Sequence, residues 1–256
     1  MDVLQQLVHL QKQRQPSVLI TLVETRGSTP RKPGSRMLVT ADGTTHGTIG
    51  GGRVEHAVIQ AAKAALREGE PSLLSYQLTS ELAMCCGGQM KFFVEPIMPR
   101  PPLLVFGCGH VGAALLQAAS SLDLDLVAID DLDENIAPDK LPFVHQRLGS
   151  YEADELSSLP FGPSPDIVIA TREHSLDQKL LEFCLKQEFH YLGVIGSQRK
   201  ANMQLERLRA KGFAEELLER VQCPMGLDIS AQTPAEIAIS ICAQLISHRR
   251  SAPKTP

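Results

Sequence analysis

The chain has 256 residues, 43% hydrophobic and 21% charged, with a formal net charge of −4. That length suits one large or two ordinary globular domains. The charge gives no sign of a nucleic-acid partner, and 4% aromatics without a Trp leave little for a base-stacking surface.

No apolar run approaches the roughly 20 residues of a membrane span. The opening Met1–Gln6 is not a basic segment followed by an apolar one. Six cysteines, scattered apart from one adjacent pair, are not the framework of a small secreted disulfide protein. A cytoplasmic protein with free thiols is expected, with no membrane partner.

In chain order, Val3, Leu4, Leu7, Val8 and Leu10 recur at helical spacing over residues 3–14, and Pro16 closes the segment. Ser17–Glu24 is β-branched and apolar and predicts a buried strand. Residues 25–36 (TRGSTPRKPGSR) hold two prolines and two glycines, so a shaped loop is expected. Its hydroxyls, backbone N–H groups and cations suit an anion. Arg26, Ser28, Thr29 and Arg31 are the candidates, although a solvated basic loop would have the same composition.

An Asp42-Gly43 turn predicts a hairpin between 37–40 and 44–49. It leads into Gly50, Gly51 and Gly52 and a helix from Arg53 to about Glu68, with Ala57, Val58, Ala61, Ala65 and Leu66 as its apolar side. Three glycines at a strand-to-helix junction let a ligand reach N–H groups at the positive helix end. Glu55 falls in the first turn, where a carboxylate is favoured.

Strands are expected at 72–79 and 91–95, flanking Cys85-Cys86-Gly87-Gly88. Adjacent cysteines bond each other only with strain, and the glycines remove side chains beside the sulfurs. Cys85 and Cys86 are therefore candidates for a thiolate that meets an electrophile or a soft metal. The alternative is two small residues buried at a tight turn.

Pro96, Pro99, Pro101 and Pro102 mark a linker. The expected domains are 1–98 and 99–250, with 251–256 as a disordered tail. Beyond the linker, Leu103–Phe106 runs into Gly107-Cys108-Gly109-His110-Val111-Gly112, a helix follows, and the next strand, 124–129, ends at Asp130. A G-x-G-x-x-G between strand and helix with an acid about 20 positions on is the dinucleotide-binding fingerprint in its proper context. Gly107, Gly109, His110, Gly112 and Asp130 are its candidate ligand contacts, and a nucleotide is the ligand it implies. Asp131, Asp133 and Glu134 add negative charge that disfavours a second phosphate there.

Strands at 166–170 and 191–195 place Thr171–Asp177 and Gly196-Ser197 at carboxyl ends, where α/β sheets bind ligands. Helices near 177–187 and 199–211 supply crossovers. The fold class expected is α/β: a mixed α+β N-terminal domain, then a Rossmann-like, doubly wound parallel sheet. Thr233-Pro234-Ala235-Glu236 predicts a capping box that opens the last helix. Cys184, Cys223 and Cys242 are expected to be structural. An NAD-dependent oxidoreductase is a competing reading. However, His110 lies inside the glycine loop and His174 stands without an identifiable partner.

Taken in order, Thr25–Arg31, Gly47–Gly52, Cys86–Gly88, Gly107–Gly112, Gly196-Ser197, Gly226–Ile229 and Thr233–Ile237 resemble the XdhC/CoxI family, accessory proteins of molybdenum hydroxylases. The resemblance covers about residues 15–248. It implies a chaperone rather than an enzyme. Such a protein binds the molybdenum cofactor (molybdopterin) and holds it while a cysteine desulfurase installs the terminal sulfido ligand. It then inserts the cofactor into the molybdenum subunit of apo xanthine dehydrogenase.

The resemblance points to Cys86 as the cofactor and metal contact, with Cys85 as second candidate. The basic loop would take the phosphate and the triple glycine would supply N–H groups. A homodimer is expected of a protein that docks a large enzyme. Two residues depart from the family pattern: Arg172, where a His is frequent, and Leu132, where an Arg often follows the paired aspartates. The remaining competitor is a sulfurtransferase carrying a persulfide on Cys85 or Cys86.

Overall fold

The structure is a computed structural model that describes residues 2–78 and 87–251. The chain divides into two compact units, one ending at Pro99 and the next beginning at Arg100.

In the first unit, helix α1 (Val3–Lys12) precedes strands β1 (Ser17–Arg26), β2 (Arg36–Thr40) and β3 (Thr45–Gly47). Helix α2 (Gly52–Glu68) and strands β4 (Ser72–Gln77) and β5 (Gln89–Ile97) complete it. The five strands form one antiparallel sheet in the order β3-β2-β1-β5-β4. At the β2–β3 turn, Gly43 has φ +90°. The Asp42 carboxylate there accepts hydrogen bonds from the Thr40 hydroxyl and from the Thr44 amide and hydroxyl. These donors, the Thr40 hydroxyl first, hold its pKa down at about 2.

Strand β1 is not buried on both sides, as its apolar run suggests. Val18, Ile20 and Leu22 are fully buried, but Val23 is exposed. An antiparallel sheet covered on one face needs apolar residues only at alternate positions. Helix α2 covers that face with Val54, Val58, Ala62 and Ala65. The expected apolar side is right at Val58, Ala65 and the partly buried Leu66, but Ala57 and Ala61 fall outside the core, where Val54 and Ala62 take their place. Alanines occur on several faces of this helix, so periodicity alone leaves its orientation undecided. Val54 decides it by joining Ile49 and Met90 in the core.

The second unit contains β6 (Pro102–Phe106), α3 (His110–Ala119), β7 (Asp125–Ile129), β8 (Gln146–Leu148), α4 (Ala153–Leu156) and β9 (Asp166–Ile169). It continues with α5 (His174–Cys184), β10 (Tyr191–Val194), α6 (Gln198–Ala210), α7 (Glu215–Leu218), β11 (Val221–Gln222) and α8 (Pro234–Ser251). Its six strands are parallel, in the order β11-β10-β9-β6-β7-β8. This is the Rossmann-like arrangement, and its order reverses between β6 and β9.

On one face, Leu115, Leu116 and Ala119 of α3 share a core with Ala238, Ile241 and Leu245 of α8. On the other, Leu180, Leu181 and Cys184 of α5 join Leu208 of α6. All of β6 is buried, as a strand covered on both faces requires. The capping box forms: Glu236 accepts from the Thr233 amide at 2.9 Å, and the Thr233 hydroxyl accepts from the Glu236 amide at 3.3 Å. At the opposite edge from the carboxyl ends, fully buried Asp166 accepts from Arg249 Nε at 2.6 Å and meets His190 Nδ1 at 2.8 Å. This ties α8 to β9 and to the segment entering β10. Among the described residues, no helix is long and apolar enough to cross a membrane.

Candidate functional site

In the first unit, three stretches far apart in sequence meet at one end of the antiparallel sheet. Pairing of β1 with β5 sets Arg26 opposite Gln89. The loop after β1 therefore runs beside Gly87 and Gly88. A Cβ on Gly88 would stand 2.4 Å from the Ser28 carbonyl oxygen and 2.6 Å from that of Arg26. Only glycine fits such an approach. A Cβ on Gly50 would lie 3.0 Å from Pro30 Cγ and 3.7 Å from Met90 Cε. Cys85 and Cys86 lie outside the described residues. Gly87, bonded to Cys86, is part of this junction.

The side chains of Ser28 and Arg31 are exposed, and the Thr29 hydroxyl donates to the Arg31 carbonyl at 3.0 Å. Arg26 donates to Glu24 at 2.8 Å, and Lys91 donates to the other Glu24 oxygen at 2.7 Å. The Glu24 carboxyl is held low by Lys91 first and Arg26 second. Arg26 is thus occupied within the chain, and Arg31 and Lys32 stand exposed on the loop.

The glycine turn is also held from within. Glu55 accepts from the Thr48 hydroxyl at 2.7 Å, the Gly51 amide at 2.9 Å and the Ile49 amide at 3.3 Å. The Gly50 amide donates to the Thr48 hydroxyl at 3.3 Å. Two of the N–H groups read from the sequence as ligand donors therefore already have partners, while Gly52 is the first residue of α2.

In the second unit, the fingerprint glycines separate by role. Gly107 has φ +91°, and a Cβ there would lie 2.3 Å from the Ala170 carbonyl oxygen. At Gly112 a Cβ would lie 1.8 Å from the Gly107 carbonyl oxygen, so this glycine lets α3 approach the strand. Gly109 has an ordinary φ of −67°, and a Cβ there would meet nothing within 4 Å. No protein atom requires that glycine. It borders a crevice of about 270 Å³ with Gly107, His110, Asp130, Thr171 and Arg172, at the point where the strand order reverses. In this fold, that is where the backbone closely approaches a pyrophosphate.

Asp130 is buried and turned towards the loop. It accepts from the Cys108 amide at 2.7 Å and the Leu132 amide at 3.0 Å. Its carboxylate holds the glycine turn in shape. Asp131 forms a bidentate pair with Arg172, with one contact at 2.8 Å. The hydrogen bond from Arg172 keeps the Asp131 carboxyl below the usual range. The pair joins the loops that follow β7 and β9.

His174, which stands alone in the sequence, has two neighbours in the structure. Its Nδ1 faces Asp177 Oδ2 at 3.4 Å, and its Nε2 lies 2.5 Å from Lys200 Nζ. The i,i+3 spacing of His174 and Asp177 is a usable signal. Nothing local announces Lys200.

Four described cysteines carry free thiols. Burial, with Asp130 nearby, pushes Cys108 up to about 12. Burial pushes Cys223 and Cys242 up to about 11, and it also raises Cys184. A thiol with a raised pKa stays protonated and unreactive near neutrality. Iodoacetamide at pH 8 is therefore expected to leave these four unlabelled in the native protein. Peptide mass spectrometry checks this, with any label taken up falling on Cys85 or Cys86.

A two-unit chain of this kind, with a glycine-lined Rossmann crevice, matches known sequences along most of its length. Residues 103–245 match the XdhC Rossmann domain and residues 10–77 match the XdhC and CoxI family. The chain belongs to the XdhC and CoxI family. It is 36% identical over 261 aligned residues to the uncharacterized YqeB of Escherichia coli K12, across 99% of this chain and 47% of YqeB. It is 29% identical over 160 residues to a probable xanthine dehydrogenase subunit of Bacillus subtilis 168, across 62% of this chain and 46% of that protein. The chain thus spans about half the length of these two relatives. With the molybdenum cofactor insertion chaperone PaoD of Escherichia coli K12, identity is 26% over 267 residues, across 91% of this chain and 83% of PaoD. The fold is also similar to the crystal structure of a xanthine dehydrogenase from Bacillus halodurans. The TM-score is 0.55 at 24% identity, covering 99% of this chain and 97% of that one.

Proposed function

We propose that the chain binds the molybdenum cofactor and serves in the maturation of a molybdenum hydroxylase. It holds the cofactor while a cysteine desulfurase supplies the sulfido ligand, and passes it to an apoenzyme of the xanthine dehydrogenase type in the cytoplasm. It acts as a chaperone and not as a catalyst. The names of PaoD and of the Bacillus subtilis relative support this reading.

The observation that carries it is the seating of Gly88 under the Arg26 and Ser28 carbonyls. This fastens the stretch that follows Cys86 to the hydroxyl-rich loop. Molybdopterin pairs a phosphate with a dithiolene-bound metal, and bound cofactor supplies the redox centre of the recipient enzyme. The residues fit such a group. Ser28 and Arg31 are exposed and suit the phosphate. Cys86, and after it Cys85, suits the soft metal end.

The test is pterin content. The protein is purified anaerobically from a cofactor-replete host and its pterin is released by oxidation and quantified by fluorescence. Wild type is expected to hold near-stoichiometric pterin, and Cys86→Ala is expected to lose it. No pterin in either, even after addition of released cofactor, would overturn the reading. A nucleotide in the crevice of the second unit is a companion reading, favoured by the open space beside Gly109.

A further inference from the structure

A second hollow opens at the carboxyl ends of β9 and β10, and it shares no bordering residue with the glycine crevice. It measures about 520 Å³, and its polar border is His174, Ser197, Arg199, Lys200, Gln204 and Arg207. Most of these come from α6. Positions 199 and 207 lie in one i,i+4 row of that helix, and 200 and 204 in the next. Arg199, Lys200 and Arg207 therefore face the same side, and no carboxylate is among the bordering residues.

A row of cations on a helix is ordinarily a solvated face, loosely paired and worth little. Lys200 is held differently. Its Nζ lies 2.5 Å from His174 Nε2. An ammonium can only donate, so Nε2 accepts and the imidazole carries its proton on Nδ1. That nitrogen faces Asp177 Oδ2 at 3.4 Å. Asp177 has no exposed surface. Its Oδ1 accepts from the Thr171 amide at 3.0 Å and the Thr171 hydroxyl at 2.6 Å, while Oδ2 has no hydrogen-bond donor of its own. Thr171 fixes the carboxylate, Nδ1 lies near it without a hydrogen bond between them, and the ring holds the amine at the hollow. A neutral partner leaves the charge of Lys200 in place beside two guanidinium groups. Three like charges gathered this way favour an anion between them.

We infer that this hollow is an anion subsite that takes a phosphate or phosphoanhydride group of a ligand. Lys200 is the donor, Arg199 and Arg207 flank it, and His174 is a positioning residue. Either the phosphates of a nucleotide or the phosphate of a pterin has this chemistry.

The full chain is titrated with inorganic pyrophosphate by calorimetry at low salt. Wild type is expected to bind saturably. Lys200→Ala and Arg207→Ala should each weaken binding by about tenfold or more, the scale of a lost charge-assisted hydrogen bond. Lys200→Arg, which keeps the charge, should stay within about threefold. His174→Ala should weaken binding without moving the urea midpoint. Added to Lys200→Ala it should cost nothing more, because both act through one amine. Displacement of pyrophosphate by ADP would assign a nucleotide, and displacement by oxidatively released, phosphorylated pterin would assign the pterin. Absence of saturable binding in wild type, or variants that bind like wild type, would overturn the subsite. The Cys86-dependent pterin loading is read separately and does not depend on this result.

Discussion

Gly112→Ala is expected to cost the second unit about 3 kcal/mol or more, the upper range for forcing atoms into a packed site. The added methyl would sit 1.8 Å from the Gly107 carbonyl oxygen and 2.8 Å from its carbon. Both are backbone atoms. Even a Cβ on Gly107 would stand 2.3 Å from the Ala170 carbonyl oxygen and 2.7 Å from Thr171 Cα, so the turn has little room to yield. The loop would have to lift from β6, and the Cys108 amide would lose Asp130. Urea unfolding followed by circular dichroism reads this as a large fall in the transition midpoint. Gly109→Ala, whose methyl meets nothing within 4 Å, is the matched control. Its midpoint should stay close to wild type, and only ligand approach to the crevice should suffer. Equal destabilisation by both changes would show that the assignment of separate roles to the two glycines is wrong.

Asp166→Ala is expected to cost roughly 3–5 kcal/mol, the range for breaking a buried ion pair by removing one partner. Asp166 has no exposed surface, while Arg249 and His190 around it retain 23% and 20%. Removal of the carboxylate strands the guanidinium and the ring on a largely desolvated edge. It also releases α8, which supplies Ala238, Ile241 and Leu245 to the core. The site lies at the amino ends of the strands, away from both hollows. Ligand binding at temperatures well below the transition should therefore be preserved. A shift of less than about 1 kcal/mol in the urea series would show that the pair contributes no more than a surface one.

Local signals carried much of the second unit. Leu103–Phe106, the spaced glycines and the acid at Asp130 announce a parallel strand, a phosphate-type turn and a second strand within thirty residues, because each is a short-range feature. The direction in which Asp130 points is not short-range in that sense. The amides of Cys108 and Leu132 compete with solvent and ligand for its carboxylate, and burial settles the competition. Strands β8 and β11, three and two residues long, fall below the length at which periodicity has meaning.

In the first unit, the turn at Asp42-Gly43 could be read directly. The meeting of the Arg26–Thr29 loop with Gly87 and Gly88 depends on the long-range pairing of β1 with β5 that sets Arg26 opposite Gln89, which no local pattern specifies. His174 shows both limits. Asp177 is one helical turn away and could have been found, whereas Lys200 arrives from the next βα unit.

The burial of all five residues of β6 has a consequence during synthesis. The strand needs β7 on one side and β9 on the other, and Leu103 meets Asp166 roughly sixty residues later. At about 5–20 residues per second, the ribosome takes on the order of 3–12 s to supply that second neighbour. Throughout that interval, a fully apolar central strand has at most one flank covered. At this stage the nascent chain exposes apolar strand surface that the finished sheet covers.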